Sequence, residues 1–475
     1  MCQLVQRMLF EREVLTCKLA VNIKGQGVNI FDTLNLKTTL QGSTNIYNHS
    51  IFGVSSLTAA LPNGTTYPLT VGSLSLGAWL DVQTWGQYQG LTIPGYLADT
   101  NRTTSNSFGL HYGSALLGLG GSLVFGGYDQ SRVLGDVGSF DLGANGSMAL
   151  ELMDIGLGTE KGISPFNATS ASGLLKLNAS EKSIPTTINP LVPYLFLPTN
   201  TCAAIANFLP ITYIPDVGLY KWNTADPTYH KVLSAPTYLD FVFQSAGSSG
   251  GNLSIKVPLQ LLNLTLEAPI VSTPERYFPC RPYDPTTPTH DPFLVGKAFL
   301  QAAFIGMNWD LQKFFVAQAP GPGVGQSQIL EIGSKAISID ANPISNFYTT
   351  WTGHWTPIFD SPASNTSTAH GRSLRGGAKA GIGVGVTLGT IAFVAMVIFL
   401  FARRKRRNSA QHRDKHQSEG DPIFDETRAH RVHEIGVHRP NEMGKGQAHE
   451  IGEGQIYEVS EGKTVHEMGV PHTDR

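Results

Sequence analysis

The feature that most constrains this chain is an uncharged apolar segment near its C-terminus. Residues 380–402 read AGIGVGVTLGTIAFVAMVIFLFA, and none of them is ionisable. A helix of this length, at about 1.5 Å per residue, covers a hydrocarbon core about 30 Å thick. Five contiguous cations follow (403–407, RRKRR), whereas residues 370–379, directly before the segment, contain three dispersed cations: Arg372, Arg375 and Lys379. Because cations beside a span stay on the cytosolic side, the sequence predicts one transmembrane helix with a cytosolic C-terminus.

Charge density and glycosylation sequons divide the chain at the same place. About 11% of residues 1–402 are charged, against about 36% of residues 403–475. The nine N-x-S/T sequons all precede the span: Asn48, Asn63, Asn101, Asn145, Asn167, Asn178, Asn252, Asn263 and Asn365. Glycosylation at such sites takes place in the secretory pathway. We therefore expect a single-pass protein of the plasma membrane or secretory pathway, with its N-terminal part extracellular or luminal.

Composition also bears on partners. The net charge of −2 and the pI near 6.7 leave no global basic field, so we expect no nucleic-acid partner. The span implies contact with membrane lipid, and Gly381, Gly385 and Gly389 recur with the G-x-x-x-G spacing that supports a homodimer through the membrane helix. No Cys/His cluster or nucleotide-binding motif is present, so the sequence predicts neither a metal site nor a cofactor.

The two ends of the chain lie outside the expected folded domain. Residues 1–22 are atypical, because charged residues interrupt the apolar run that a signal peptide needs. Two interpretations stay open: the span acts as an internal signal-anchor, or the natural start lies upstream of Met1. Residues 403–475 form a low-complexity cytosolic tail with a repeat of the type HEIG, NEMG, HEMG. We expect this tail to be disordered, with an array of docking motifs as the alternative.

The part between these ends reads as an all-β ectodomain. Short β-rich runs such as SLVFGG (122–127), YLFLP (194–198) and YLDFVFQ (238–244) alternate with Gly, Pro and Asn turn signals. The best helix candidate is TCAAIANFL (201–209). Residues 321–379 are rich in Gly, Pro, Ser and Thr, and we expect a stalk there, with an aromatic run that packs on the ectodomain or near the membrane.

Two cysteines predict a disulfide. Cys202 and Cys280 are the only pair in the ectodomain beyond the atypical first residues, and the predicted compartment is oxidising. We therefore expect them to form one bridge.

Three segments in order carry a resemblance to a known family. GSLVFGGYDQSRVLGDVGSFDL (121–142) resembles the segment that closes the N-terminal lobe of pepsin-like aspartic peptidases. VPYLFLPTNTCAAIANFL (192–209) is similar to the stretch after the second catalytic Asp of that family. DPFLVGKAFLQAAFIGMNWDLQKFFVAQA (291–319) resembles its C-terminal signature. Fungal, membrane-anchored members are the most similar.

The resemblance implies a bilobal acid-protease fold, with an incomplete N-terminal lobe at 23–145 and a C-terminal lobe at 146–320. The family hydrolyses peptides with two carboxylates, each in a D-T-G or D-S-G loop, which share a nucleophilic water. No D-[ST]-G occurs here, and the pairs at Asp32-Thr33 and Asp99-Thr100 lack the glycine. The resemblance places Asn189 at the second catalytic position and the first catalytic loop upstream of residue 21. An amide cannot act as the base, so no catalytic residue is intact.

Three functions follow from these observations. The first is a membrane-anchored, catalytically inactive aspartic peptidase homologue that binds peptide or cell-wall material. The second is an active aspartic-type endopeptidase in a longer product. The third is a cell-surface receptor or adhesion protein whose tail signals inward. A signal peptide and a D-T-G upstream of Met1 would separate the second from the others.

Overall fold

β-strands dominate the part of the chain that the computed structural model describes. The described residues are 2–5, 13–17, 23–38, 42–77, 82–85, 88–143, 146–166, 168, 170–177, 181–245, 251–284, 293–343 and 346–359. They form strands in six sheets, with a few short helices between them. This confirms the predicted all-β class.

The N-terminal sheet is an antiparallel meander in which neighbours in sequence are neighbours in space. Its strands are β1 (Cys2–Val5), β2 (Glu13–Cys17), β3 (Ile23–Thr38), β4 (Gly42–Ala60) and β5 (Thr66–Pro68). The expectation of short strands fails here, because β3 and β4 run for 16 and 19 residues. Bulges between Gln26 and Gly27 and between Asp32 and Leu34 interrupt the register of this hairpin. Such bulges bend the paired strands locally, so β3 and β4 change direction without being divided by a turn.

A central sheet joins two distant parts of the chain, with strand order β11-β24-β23-β8-β9. Its strands are β8 (Ser107–His111), β9 (Ser122–Phe125), β11 (Leu134–Asp141), β23 (Ala303–Asn308) and β24 (Lys313–Gln318). Because β23 pairs with β8 and β24 pairs with β11, the expected lobes meet in one sheet. The expected boundary at 145/146 therefore divides the sequence, but strands from both sides of it belong to this one sheet.

The part after residue 146 contains a sheet of seven strands and a sheet of four. The larger sheet holds β12 (Met148–Thr159), β13 (Ile184–Ile188), β14 (Leu195–Leu197), β17 (Thr237–Gln244), β18 (Asn252–Pro258), β21 (Cys280–Pro282) and β22 (Phe293–Val295). The smaller holds β15 (Ile211–Ile214), β16 (Leu219–Trp222), β19 (Leu264–Leu266) and β20 (Glu275–Phe278). Two further pairs are β6 (Val82–Trp85) with β7 (Tyr88–Leu91), and β10 (Gly127–Asp129) with β25 (Ile329–Glu331).

The main core gathers buried residues of the central, seven-stranded and four-stranded sheets. Alternation of buried and less buried residues along the strands builds it. On β17 the side chains of Leu239, Phe241 and Phe243 are fully buried, while the residues between them are half-buried. The ring of Phe299 meets Phe241 and Phe243 edge-on, with centroids 5.4 and 5.8 Å apart. The apolar alternation in YLDFVFQ therefore places one face of the strand in the core.

Short helices connect the strands: α1 (Ile93–Asp99), α2 (Thr199–Ala206), α3 (Pro227–Ser234) and α4 (Lys297–Leu300). The α2 helix confirms the predicted helix near 201–209. Cys202 on α2 and Cys280 on β21 form the predicted disulfide, with Cα atoms 5.8 Å apart. Both cysteines are fully buried, so the bridge fastens α2 to the seven-stranded sheet inside the core.

The described residues after 320 pack on the domain, which corrects the expectation that a stalk begins at residue 321. β25 pairs with β10, and Ile332 is fully buried beside Phe304 and Phe315. Trp351 is 2% exposed and stacks on Trp355 with ring centroids 4.6 Å apart. The aromatic run therefore packs against the ectodomain, which was one of the two arrangements expected from the sequence. A few spaced apolar anchors are enough to hold a segment of polar composition.

Within the described residues, no helix is both long and apolar enough to cross a membrane. The predicted span at 380–402, the tail at 403–475, and the sequons at Asn145, Asn167, Asn178 and Asn365 lie outside the described residues.

Candidate functional site

The loop after β13 presents the residue to which the resemblance assigned a catalytic position. β13 lies between β12 and β22, and Asn189 follows its last residue. The Asn189 backbone N–H donates to the Val295 carbonyl at 3.0 Å. Its side-chain Oδ1 accepts a hydrogen bond from the Leu191 N–H at 2.9 Å. The carboxamide thus closes an Asx-turn on its own loop, a role for which an Asn oxygen suffices.

A close backbone approach holds this loop from the other side. Gly296 follows β22, and a Cβ atom there would lie 2.2 Å from the Val192 carbonyl oxygen, so only glycine fits without a shift. The Gly296 N–H donates to the Tyr194 carbonyl at 3.0 Å, and the Lys297 N–H donates to the Val192 carbonyl at 2.9 Å. The 189–194 loop and the 296–297 turn are therefore fixed to each other.

A cavity of about 440 Å³ opens beside this pair of turns. Its floor comes from the central sheet, with Phe108, Leu110, Ile305 and Met307 among its members. Its rim includes residues 190–191 and Lys297, and residues 72–77 form a further wall. The volume falls within the range of about 300 to 1,000 Å³ that is typical of small-ligand pockets.

The wall at residues 72–77, called the 72–77 strap below, runs without regular secondary structure. The Trp309 indole Nε1–H donates to the Leu76 carbonyl at 3.1 Å. Gly77 has φ of +118°, where L side chains are rare, and a Cβ atom there would collide with the Trp309 ring. One indole hydrogen bond and one glycine thus hold the strap against the cavity.

The cavity lining is apolar and lacks a carboxylate among the described residues. Lys297 is the one charged side chain in that lining. Burial raises the pKa of the Tyr112 phenol, which therefore stays neutral at physiological pH. No described lining residue can serve as the base that deprotonates water, so this lining supports binding better than hydrolysis.

The other acidic residues considered from the sequence lie elsewhere. Asp32 is exposed on β3, and its carboxylate accepts the Thr33 N–H at 2.7 Å. Asp99 is the exposed last residue of α1. Neither belongs to the cavity lining, so the structure places neither Asp-Thr pair at the candidate site. Within the described residues there is also no group of three or more side chains that could hold a metal ion.

Sequence reasoning missed a buried polar network in the segment 121–142. Burial alone would raise the pKa of Asp129, but hydrogen bonds from the Gln328 N–H and from Ser131 and Ser327 hold the pKa below its ordinary value. Arg132 lies 3.8 Å from the Asp129 carboxylate, and its guanidinium donates to His111 Nδ1 at 3.4 Å. The only available signal was the G-G-x-D-x-S pattern, which names Asp129 without naming its partners.

The described sequons differ in accessibility. Asn48, Asn63, Asn101 and Asn252 are exposed. Asn263 is half-buried, and its Oδ1 accepts a hydrogen bond from the Tyr229 hydroxyl at 3.2 Å. The four exposed sequons therefore lie at the surface, where Asn63 Oδ1 accepts from the Thr65 N–H at 2.9 Å, whereas Asn263 is partly buried where it meets Tyr229.

Comparisons with known proteins find similarity to solved structures but no match in sequence. No family model matches the sequence, and no curated protein matches it. Among solved structures, the chain is similar to the aspartic proteinase from Irpex lacteus at 14% sequence identity. The match covers 66% of this chain and 82% of that one, with a TM-score of 0.44. Values this low assign neither a family nor an activity to the present chain.

Proposed function

We propose that this protein is a membrane-anchored, pepsin-like ectodomain that binds peptide in the 440 Å³ cavity without hydrolysing it. The three family-like segments of the sequence support the fold, since they lie in the order that the family uses. The apolar segment at 380–402 supports the anchor.

One observation carries the proposal. Asn189 stands at the rim loop, and its carboxamide is used to fix the Leu191 N–H at 2.9 Å. Leu191 lines the cavity and is 49% exposed, so an apolar side chain lies next to the residue to which the resemblance assigns the second catalytic position. The described lining residues thus offer an apolar surface for side chains and include no carboxylate that could act as the base for cleavage.

The first test is for proteolysis. Full-length protein should release no fragments from a denatured protein substrate at pH 3–5, and pepstatin should change nothing. The Asn189→Asp variant should be equally inactive, because one carboxylate cannot replace a pair that shares a proton. Pepstatin-sensitive cleavage by the natural chain would instead support the active endopeptidase.

The second test is for binding. A fluorescent peptide rich in Leu and Phe should bind the full-length protein, and Leu74→Asp should weaken binding because it places a charge on the 72–77 strap. Leu116→Asp is the matched control, since Leu116 is 43% exposed, close to the 49% of Leu74, and lies outside the lining. Equal loss in both variants, or no binding by the natural chain, would contradict the proposal.

A further inference from the structure

The charged side chain in the described cavity lining is a cation, Lys297. Lys297 is exposed at the rim, and within the described residues its ammonium has no ion-pair partner. Its backbone is fixed, since its N–H donates to the Val192 carbonyl and its carbonyl accepts from the Gln301 N–H at 3.2 Å. A cationic side chain on a fixed backbone, beside apolar side chains, is complementary to an anion that carries an apolar group.

The 72–77 strap adds a second, polar kind of recognition. Within the described residues, no hydrogen bond to another backbone group is made by Gly72, Ser73, Leu74 or Ser75. These free backbone groups line or adjoin the cavity and can pair with the amides of an extended peptide. A hydrocarbon chain has no such amides and would leave them without partners.

We propose that the cavity recognises the carboxyl terminus of a peptide that ends in a large apolar residue. The apolar side chain enters the cavity, the peptide backbone lies along the 72–77 strap, and the terminal carboxylate pairs with Lys297. A C-terminal residue carries both a carboxylate and an apolar side chain. These two groups match Lys297 and the neighbouring Leu300 of the lining. This inference rests on the proposed function and restricts its ligand to chain ends.

The experiment compares three probes on the full-length protein at low ionic strength: a fluorescent ten-residue peptide ending Ser-Leu-Phe, the same peptide with a carboxyl-terminal amide, and dodecanoate. The free acid should bind about five-fold more tightly than the amide, since a rim ion pair contributes up to about this much. Lys297→Gln should remove that difference without changing the affinity for the amide. Lys335→Gln, another exposed lysine outside the lining, should preserve it.

The outcomes separate the two proposals. Equal binding of acid and amide, unaffected by Lys297→Gln, would overturn the carboxylate inference and leave peptide binding intact. Binding of neither peptide would overturn the proposed function itself. Binding of dodecanoate alone would overturn both in favour of a lipid-like ligand, whereas binding of the acid with loss on Lys297→Gln supports both.

Discussion

His111 is a fully buried histidine whose two ring nitrogens both have partners. Its Nε2–H donates to the Gln301 carbonyl at 3.1 Å, and its Nδ1 accepts from the Arg132 guanidinium at 3.4 Å. Desolvation lowers the pKa of this imidazole to about 4, and the nearby Arg132 adds to the effect. The ring is therefore neutral in the folded state under ordinary conditions.

We expect acid to destabilise the fold through this histidine. Between pH 6.5 and about 4, His111 binds a proton in the unfolded chain but not in the folded chain. The free energy of unfolding therefore falls as pH falls. A pKa shift of this size lowers the free energy of unfolding by up to about 3 kcal/mol. Urea denaturation at a series of pH values measures it. His111→Gln should flatten the profile over that window.

At this scale the sequence revealed the candidate site only in part. It identified the loop at Asn189 because local motifs surround it, and the structure places Leu191 of that loop on a cavity rim. It could not identify the pairing of His111 with Arg132 or of Trp309 with Leu76, because these partners are 21 and 233 positions apart. Contacts of this kind arise from sheet topology, which local pattern does not encode.

The disulfide between α2 and β21 should matter for stability more than any single surface contact. It closes a loop with a sequence separation of 78 residues, and both cysteines are buried. In the chain-entropy account, removing such a bridge lowers the free energy of unfolding by about 4 kcal/mol. Cys202→Ala with Cys280→Ala should show this loss in chemical denaturation. If the double variant matched the natural chain, the bridge would not constrain the unfolded state.

The aromatic run at 347–355 should act as part of the core. Trp351→Ala removes a 2%-exposed indole that stacks on Trp355, and a buried aromatic lost to alanine typically costs about 3 to 5 kcal/mol. Phe359→Ala is the matched control, since Phe359 is 65% exposed and should change stability by less than about 0.5 kcal/mol. Thermal melts of the two variants check the difference. Equal melts would mean that the segment docks without stabilising the domain.

Elements were predictable where apolar alternation is strong and misjudged where anchors are sparse. The run YLDFVFQ predicted β17, and TCAAIANFL predicted α2. The segment after residue 320 looked like a stalk because its composition averages to polar, although Ile332 and Trp351 are buried. The strands β3 and β4 looked short because their turn-forming residues lie within paired strands, where bulges absorb them.

At the scale of the whole molecule, we expect residues 23–359 to lie on the extracellular or luminal side. The sequons at Asn48, Asn63, Asn101 and Asn252 are exposed and should carry glycans, while the half-buried Asn263 should be modified least. Glycosidase treatment followed by peptide mass spectrometry measures the occupancy of each site. An epitope at the C-terminus should be detected only after cells are permeabilised.

A C-terminal epitope accessible on intact cells would contradict this topology, because it would place the tail outside. Preferential modification of Asn263 over the four exposed sequons would contradict only the expected order of occupancy, because it would mean that glycans are added before the Tyr229 hydroxyl engages that side chain.

The pairing in the central sheet delays its formation during synthesis. His111 on β8 pairs with Phe304 on β23, so β8 leaves the ribosome well before its partner exists. At about 5 to 20 residues per second, the wait is roughly 10 to 40 s. During that interval β8 and β11 present backbone edges without their β23 and β24 neighbours, which is the condition that favours wrong pairing between chains. The rate at which this protein is synthesised and attended by chaperones should therefore set its yield as much as its final stability does.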